Sequence, residues 1–250
     1  MKIAIVTGGS RGLGKSSALA MAAKGIDVIL TYNTKKDEAD QVVAQIENLG
    51  RKAAALQLDV ADSKNFAPFA ENVKATLKNK FGTDRFDYLI NNAGIGINAP
   101  FMEFTEEQFD QLTNIHYKAP FFISQKLLPI MNDGGRIINF SSGLARFSMP
   151  GYSVYGSLKA AVEGLTRYMA KELGPRKITV NVVAPGPIAT DFGGARVRDD
   201  KTLNAAMAAQ TPLGRVGEAD DIGKLVASMV QDDMGWVNGQ RIEASGGILI

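Results

Sequence analysis

The chain has 250 residues, 28 basic and 26 acidic side chains (net charge +2), one histidine and no cysteine. This excludes disulfide frameworks, Cys-ligated zinc or iron–sulfur sites and His-cluster metal centres, and gives no electrostatic footprint for nucleic acid. With 45% apolar and 22% charged residues the chain can bury a large core, and it contains no run of 18 apolar residues that would suit a membrane span.

Ile3-Ala4-Ile5-Val6-Thr7 is a continuous apolar run, the pattern of a strand covered on both faces, and it predicts no leader ahead of the fold. Thr7-Gly8-Gly9-Ser10-Arg11-Gly12-Leu13-Gly14 follows, then a helical spacing through Leu13, Ser16, Ser17, Ala20 and Met21 that stops at Gly25. The second strand is read at 28–32, a charged amphipathic helix at 35–48, the third strand at 53–59 and a helix at 63–79. Further strands are read at 88–91, 136–140, 179–184 and 240–243, with helices at 105–131, 152–173 and 218–230. This alternation predicts an α/β, single-domain Rossmann-like, doubly wound fold: a mainly parallel seven-stranded sheet with helices on both faces. Right-handed crossovers gather the C-terminal strand ends along one edge, where ligands bind. Residues 187–212 fit no regular element and are read as a substrate loop.

Glycines in the first turn let the backbone approach a pyrophosphate, and the helix start behind them offers free N–H groups. The spacing is G-x-x-x-G-x-G through Gly8, Gly12 and Gly14, with Ser10 where a further glycine would stand in G-x-G-x-x-G. At the end of the second strand an acid would bind the adenosine ribose and repel a 2′-phosphate. Tyr32-Asn33-Thr34 has none, and Arg11 adds a planar cationic fork, so NADP(H) is favoured over NAD(H).

Tyr155 and Lys159, four apart, share a helix face. A free phenol titrates near ~10; a fall of ~3 would need ~4 kcal/mol of stabilisation from a neighbouring ammonium and would make Tyr155 a usable proton donor or acceptor. Ser141-Ser142, Asn91-Asn92-Ala93-Gly94 and Pro185-Gly186 end three strands at the same edge. Together with the glycine turn, these motifs resemble the short-chain dehydrogenase/reductase family over essentially the whole chain, with the likeness greatest to its 3-oxoacyl-acyl-carrier-protein reductases.

The resemblance implies hydride transfer between a nicotinamide and a carbonyl or alcohol, without a metal. Tyr155 would be the general acid/base, Lys159 would lower its pKa and hold the nicotinamide ribose, Ser142 would polarise the carbonyl, and Asn114 would hold a relay water. Spacing to Tyr155 selects Ser142 over Ser141. Gly8, Ser10, Arg11, Gly12, Leu13, Gly14, Tyr32 and Asn33 would meet the adenosine and phosphates. Asp59 and Val60 would contact the adenine, and Asn91, Ala93 and Gly94 its ribose side; Pro185, Gly186, Ile188 and Thr190 would flank the nicotinamide. Leu144, Met149, Tyr152, Pro187, Ile188 and Phe192 would form an apolar substrate pocket. Arg146, Arg196 and Arg198 are candidates for an anionic group. Pro120 should bend the helix that carries Asn114, and His116 reads as a packing or hydrogen-bonding residue.

A carrier-protein substrate is not favoured over a small ketone, quinone or sugar carbonyl, because where the resemblance implies a basic docking residue the chain has Asn132-Asp133-Gly134-Gly135, although Arg176-Lys177 keeps the other basic spot. The other readings are an NAD(H)-dependent dehydrogenase, a non-catalytic nucleotide sensor and a nucleotide-fold methyltransferase. Against the last two stand the Tyr–Lys pair and the missing ribose acid. Ile248-Leu249-Ile250 ends the chain on apolar residues, and with the resemblance this predicts a homotetramer or homodimer, cytoplasmic, with no nucleic-acid or membrane partner.

Overall fold

Alternation along the first strand sets up two cores. Ala4 and Val6 point into one apolar cluster, Ile3 and Ile5 into another, and all four are buried. In the computed structural model, which describes residues 2–250, the chain runs β1 (Lys2–Val6), α1 (Gly12–Ala23), β2 (Ile26–Tyr32), α2 (Lys36–Asn48), β3 (Ala53–Gln57), α3 (Phe66–Thr76) and β4 (Phe86–Asn91). It continues through α4 (Glu106–Thr113), α5 (Ala119–Leu127), β5 (Met131–Phe140), α6 (Ser153–Leu173) and β6 (Thr179–Pro185). Short α7 (Arg196–Asp199), α8 (Lys201–Ala209), α9 (Ala219–Met229) and β7 (Arg241–Ala244) complete it.

The strands form one seven-stranded sheet in the order β3-β2-β1-β4-β5-β6-β7, parallel throughout. Helices α1, α2 and α9 cover one face and α3, α5 and α6 the other. The sheet grows outward from β1 to β3, then β4 returns to lie beside β1. That reversal opens a crevice above the C-terminal ends of β1 and β4, the place where such sheets take ligands.

Several boundaries differ from the sequence reading. β3 stops at Gln57, short of Asp59. β5 starts at Met131 rather than 136: Phe86 pairs with Met131 and Tyr88 with Arg136, so residues 132–135 bulge out of the ladder, with Gly134 at φ +76°. The single helix expected over 105–131 is interrupted. A wide π turn occupies Asn114–Lys118, where Ala119 N–H donates to the Asn114 carbonyl, and Pro120 opens α5 behind it. Since proline lacks an N–H, the helix is distorted just upstream of it.

Residues 187–212 are not irregular throughout. Asp200 caps α8 by accepting from the amides of Thr202 and Leu203, both at 3.0 Å, and an alanine-rich stretch carries the helix on. The excursion is closed at its base. Gly217 N–H donates to the Pro187 carbonyl and Ala189 N–H to the Gly217 carbonyl, each at 2.9 Å, forming a parallel bridge between Ile188 and Gly217. A Cβ on Gly217 would stand 2.4 Å from Ile188 Cδ1, so a larger residue there would have to displace the tip of that side chain. Among the described residues no helix is long and apolar enough to cross a membrane.

Candidate active site

The glycine-rich turn is held from behind. Thr7 Oγ1 accepts from the amides of Asn92 and Ala93, each at 3.0 Å. The Asn92 side chain donates to the Thr7 and Gly8 carbonyls at 2.9 and 3.1 Å. Gly8 and Gly12 take positive φ, +65° and +54°, and a Cβ on Gly14 would lie 2.2 Å from the Gly8 carbonyl oxygen. Such packing admits glycine alone. Sequence reasoning placed Asn91 at the ligand and passed over Asn92. Asn92 holds the turn, while the Asn91 side chain turns into the interior, donating to Ser124 Oγ at 3.0 Å and Asn139 Oδ1 at 2.9 Å. The signal was available, since successive strand residues face opposite sides and only one of two adjacent asparagines can reach the turn.

Tyr155, Lys159 and Ser142 meet where β5 ends against α6. Tyr155 is 7% exposed and Lys159 6%. Lys159 Nζ donates to the Phe140 carbonyl at 2.7 Å and lies 5.5 Å from the centre of the Tyr155 ring. Burial pulls the ammonium down to about 7. The phenol departs from expectation: burial pushes its pKa up, and the hydrogen bond with Ser142 offsets only part of that. The lysine faces a carbonyl rather than the phenolic oxygen, so desolvation dominates and Tyr155 keeps its proton at neutral pH. As it stands, the centre is an acid.

Aromatic rings surround that acid. The centroid of His116 is 5.1 Å from that of Tyr155, edge to face; Phe192 is at 5.8 Å and Tyr152 at 6.4 Å. His116 Nε2–H donates to the Ile95 carbonyl at 2.8 Å, the hydrogen-bonding role read from sequence, and burial holds its pKa well below the ordinary value. Phe192 also packs on Gly96. Leu144 and Met149 lie on the turn between β5 and α6, where Leu144 N–H donates to Ser142 Oγ at 3.2 Å, whereas Pro187 and Ile188 lie at the neck. Asn114 opens the π turn. Thr190 stands over Gly12, its Cβ 3.9 Å from where a Cβ there would be. Val60, Ala93 and Asn91 line one small cavity of about 10 Å³ with Thr7, and Asp59 accepts from the Ala61 amide at 2.9 Å.

Other expected contacts lie elsewhere. Gly186 abuts Ser245, where a Cβ would sit 2.7 Å from Cα, and its amide donates to the Ala244 carbonyl at 3.0 Å. Arg146 donates to Glu243 at 3.3 Å and the Leu249 carbonyl at 2.7 Å, and Arg198 pairs with Asp191 and Asp199; neither extends toward the phenol. A wide depression of about 720 Å³ lies at the opposite edge of the sheet, lined by Lys2, Arg85, Asp87, Asn132, Asp133 and Arg176. It is far from this chemistry.

A family model described as Enoyl-(Acyl carrier protein) reductase matches residues 8–248. The chain is 38% identical to the hydroxynaphthalene reductase-like protein Arp2 of Metarhizium brunneum, over 98% of this chain and 94% of that protein. Among solved structures, the landomycin C-6 ketoreductase LanV with bound NADP and rabelomycin matches with a TM-score of 0.90 and 38% identity, covering 99% of this chain and 96% of that one. A short chain dehydrogenase from Burkholderia cenocepacia in complex with NADP matches with a TM-score of 0.91 and 38% identity, covering 100% and 98%. The chain belongs to the short-chain dehydrogenase/reductase family.

That membership makes it an oxidoreductase, and its first turn fits the family's dinucleotide. The position of a Cβ on Gly12 has only Thr190 within 4 Å, which leaves the cradle open in front. Arg11, at the N-terminus of α1, makes no side-chain cap, and no acid occupies the first turn, so the helix amides and dipole are free for phosphate. At the end of β2, Lys36 pairs with Asp40. Among the described residues, the side chains of Arg11 and Lys35 hold no hydrogen bond or ion pair, and Asn33, Thr34 and Lys35 are exposed.

Proposed function

We propose that this short-chain reductase uses NADPH to reduce a ketone on a flat aromatic or quinone-like ring system. The supporting observation is the aromatic enclosure of Tyr155 by His116, Tyr152 and Phe192, which suits a planar substrate better than a polar sugar. The hydroxynaphthalene reductase-like relative and the ketoreductase with bound rabelomycin point the same way. Gly8, Gly12, Gly14 and the α1 amides would hold the pyrophosphate, and Arg11 with Lys35 the 2′-phosphate. Bound NADPH supplies the hydride. Ser142 donates to the carbonyl oxygen and orients it; Tyr155, protonated at neutral pH, delivers the proton to that oxygen; Lys159 supplies positive charge beneath the phenol. Asn114 is retained as the relay residue. Residues 187–212 form the substrate excursion.

The test follows loss of reduced-nicotinamide absorbance with NADPH and NADH in parallel. The carbonyl panel holds a naphthoquinone, a cyclic aromatic ketone, a small diketone, a sugar and a 3-oxoacyl thioester. Fastest turnover with NADPH and an aromatic or quinone carbonyl is the expected result. Preference for the sugar or the thioester would overturn the substrate class; cofactor binding without any turnover would favour the sensor reading. Arg11→Ala should weaken NADPH binding by about tenfold and NADH binding by less than about twofold, the loss of one charge-assisted phosphate contact. Equal losses would remove the basis for cofactor choice. The carrier-protein reading is weaker because Arg176 is committed to Asp133 at 2.7 Å and to the Leu128 and Met131 carbonyls.

The same reading takes the molecule as a cytoplasmic homotetramer. Phe109, Phe121 and Phe122 are exposed on α4 and α5, and Tyr168 on α6. Ile248 packs within its own chain, whereas Leu249 and Ile250 are exposed. Copies of the chain would cover these residues, and light scattering at micromolar concentration reads the mass.

A further inference from the structure

Glu163 follows Lys159 by one turn of α6 and Tyr155 by two, so the three side chains share a stripe. Its Oε1 accepts from the Ser141 hydroxyl and from Arg241 Nε, both at 2.6 Å. The Arg241 guanidinium also donates through Nη1 to Glu243 Oε2 at 2.8 Å and through Nη2 to the Ser142 carbonyl at 3.3 Å. Ser141 Oγ lies 3.3 Å from the Lys159 carbonyl as well. Arg146, on the far side of Glu243, completes two acids and two bases.

The place of this cluster in the fold gives it a task. The β5–β6 ladder ends with Phe140 paired to Val183 and a last bond from the Ser141 amide to the Val183 carbonyl at 2.7 Å. Ser142 is therefore the first residue beyond the ladder, extended and followed by a single 3₁₀ turn over Gly143–Ala145. Its carbonyl is held by Arg241 on β7, and Arg241 is aimed by Glu163 on α6, the helix that carries Tyr155. The side chains of Arg241, Glu163 and Glu243 are 21%, 16% and 17% exposed, so solvent screens the pairing far less than at an open surface.

We infer that Arg241 and Glu163 are positioning residues that set the separation of the Ser142 hydroxyl from the Tyr155 phenol. They touch neither substrate nor cofactor; they tie the strand end bearing one reacting group to the helix bearing the other. A small misplacement at such a centre slows the step that needs both groups and leaves cofactor binding alone. The inference rests on the role proposed for Ser142, so its test includes that residue.

The experiment is a double-mutant cycle in steady state, with NADPH and a naphthoquinone, or the fastest carbonyl of the panel above. Arg241→Met should lower kcat about tenfold with the KM for NADPH within about twofold, and Glu163→Gln, which keeps the shape and removes the charge, about threefold. In a Ser142→Ala background the same two substitutions should each change kcat by less than about twofold, because the group they position is gone. Should Arg241→Met fail to fold, Glu163→Gln carries the cycle. Losses that multiply in the Ser142→Ala background, or a KM for NADPH that rises more than kcat falls, would overturn the inference and leave the proposed function standing. Full turnover by Ser142→Ala, or none by the unsubstituted chain with any carbonyl, would instead overturn the reading of the site itself.

Discussion

Tyr155→Phe is expected to lower kcat by about 10²–10⁴-fold while NADPH binds within about twofold of its original affinity. The substitution removes one oxygen and keeps the ring, so the contacts with His116, Tyr152 and Phe192 survive. Burial raises the phenol's pKa, so the lost group is a proton donor held ready across the neutral range. Among the described residues the phenol hydrogen-bonds the side chain of Ser142, which remains paired to the Leu144 amide, so folding should be little affected. Cofactor titration by fluorescence beside steady-state kinetics separates binding from chemistry. Turnover retained within about tenfold would move the acid's role to another residue.

Lys159→Met should act in two directions: activity falls by about 10²-fold or more, and the fold becomes more stable. The ammonium is buried against a carbonyl, with no carboxylate bonded to it among the described residues, and its pKa falls from 10.5 to about 7. Between about pH 7 and 10.5 the unfolded chain holds a proton that the folded chain has released. Stability from this group therefore rises with pH through that window, and below about 7 the folded chain carries the full cost of a buried charge. Methionine fills similar space without the charge, so stability at pH 6 should rise on the order of 2 kcal/mol, or about 5 °C in Tm. The rise of stability between pH 7 and 10 should flatten in the variant. Thermal melts at several pH values measure both. A variant less stable than the parent at pH 6, or one with the same pH slope, would show that the lysine is not held at a cost.

The parallel sheet was legible because strands covered on both faces are continuous apolar runs, and Ile3 to Val6 or Val28 to Leu30 have no other reading. The edge where Tyr155, Lys159 and Ser142 meet was legible because small and polar residues end several of those runs together. Helix α8 was missed because its hydrophobic face is short and exposed, so periodicity was silent; only the Asp200 cap and the alanines announced it. A bend in the 105–131 helix was foreseen from Pro120, but not its interruption by a wide turn, which depends on how Asn114 and Ala119 meet in three dimensions. The part Asn92 plays in holding the glycine turn was missed for want of strand phase. The pKa of Tyr155 could not be read from spacing at all. Four residues put Lys159 on the right face, but which oxygen its ammonium reaches, and how dry the phenol is, depend on Phe140 and His116, which packing brings from other segments.

The neck at Pro187, Ala189 and Gly217 separates the length of the excursion from the geometry at its base. Its backbone bonds bring the ends of the excursion together whatever lies between them. Each doubling of an excursion's length then costs only about 0.6 kcal/mol of closure entropy. Changes of length beyond Phe192 therefore cost little, whereas Thr190 and Phe192, which pack on Gly12 and Tyr155, tie the near end of the excursion to the Tyr–Lys–Ser centre. A chimaera that borrows this segment from a relative has a natural pair of splice points where Ile188 and Gly217 bridge.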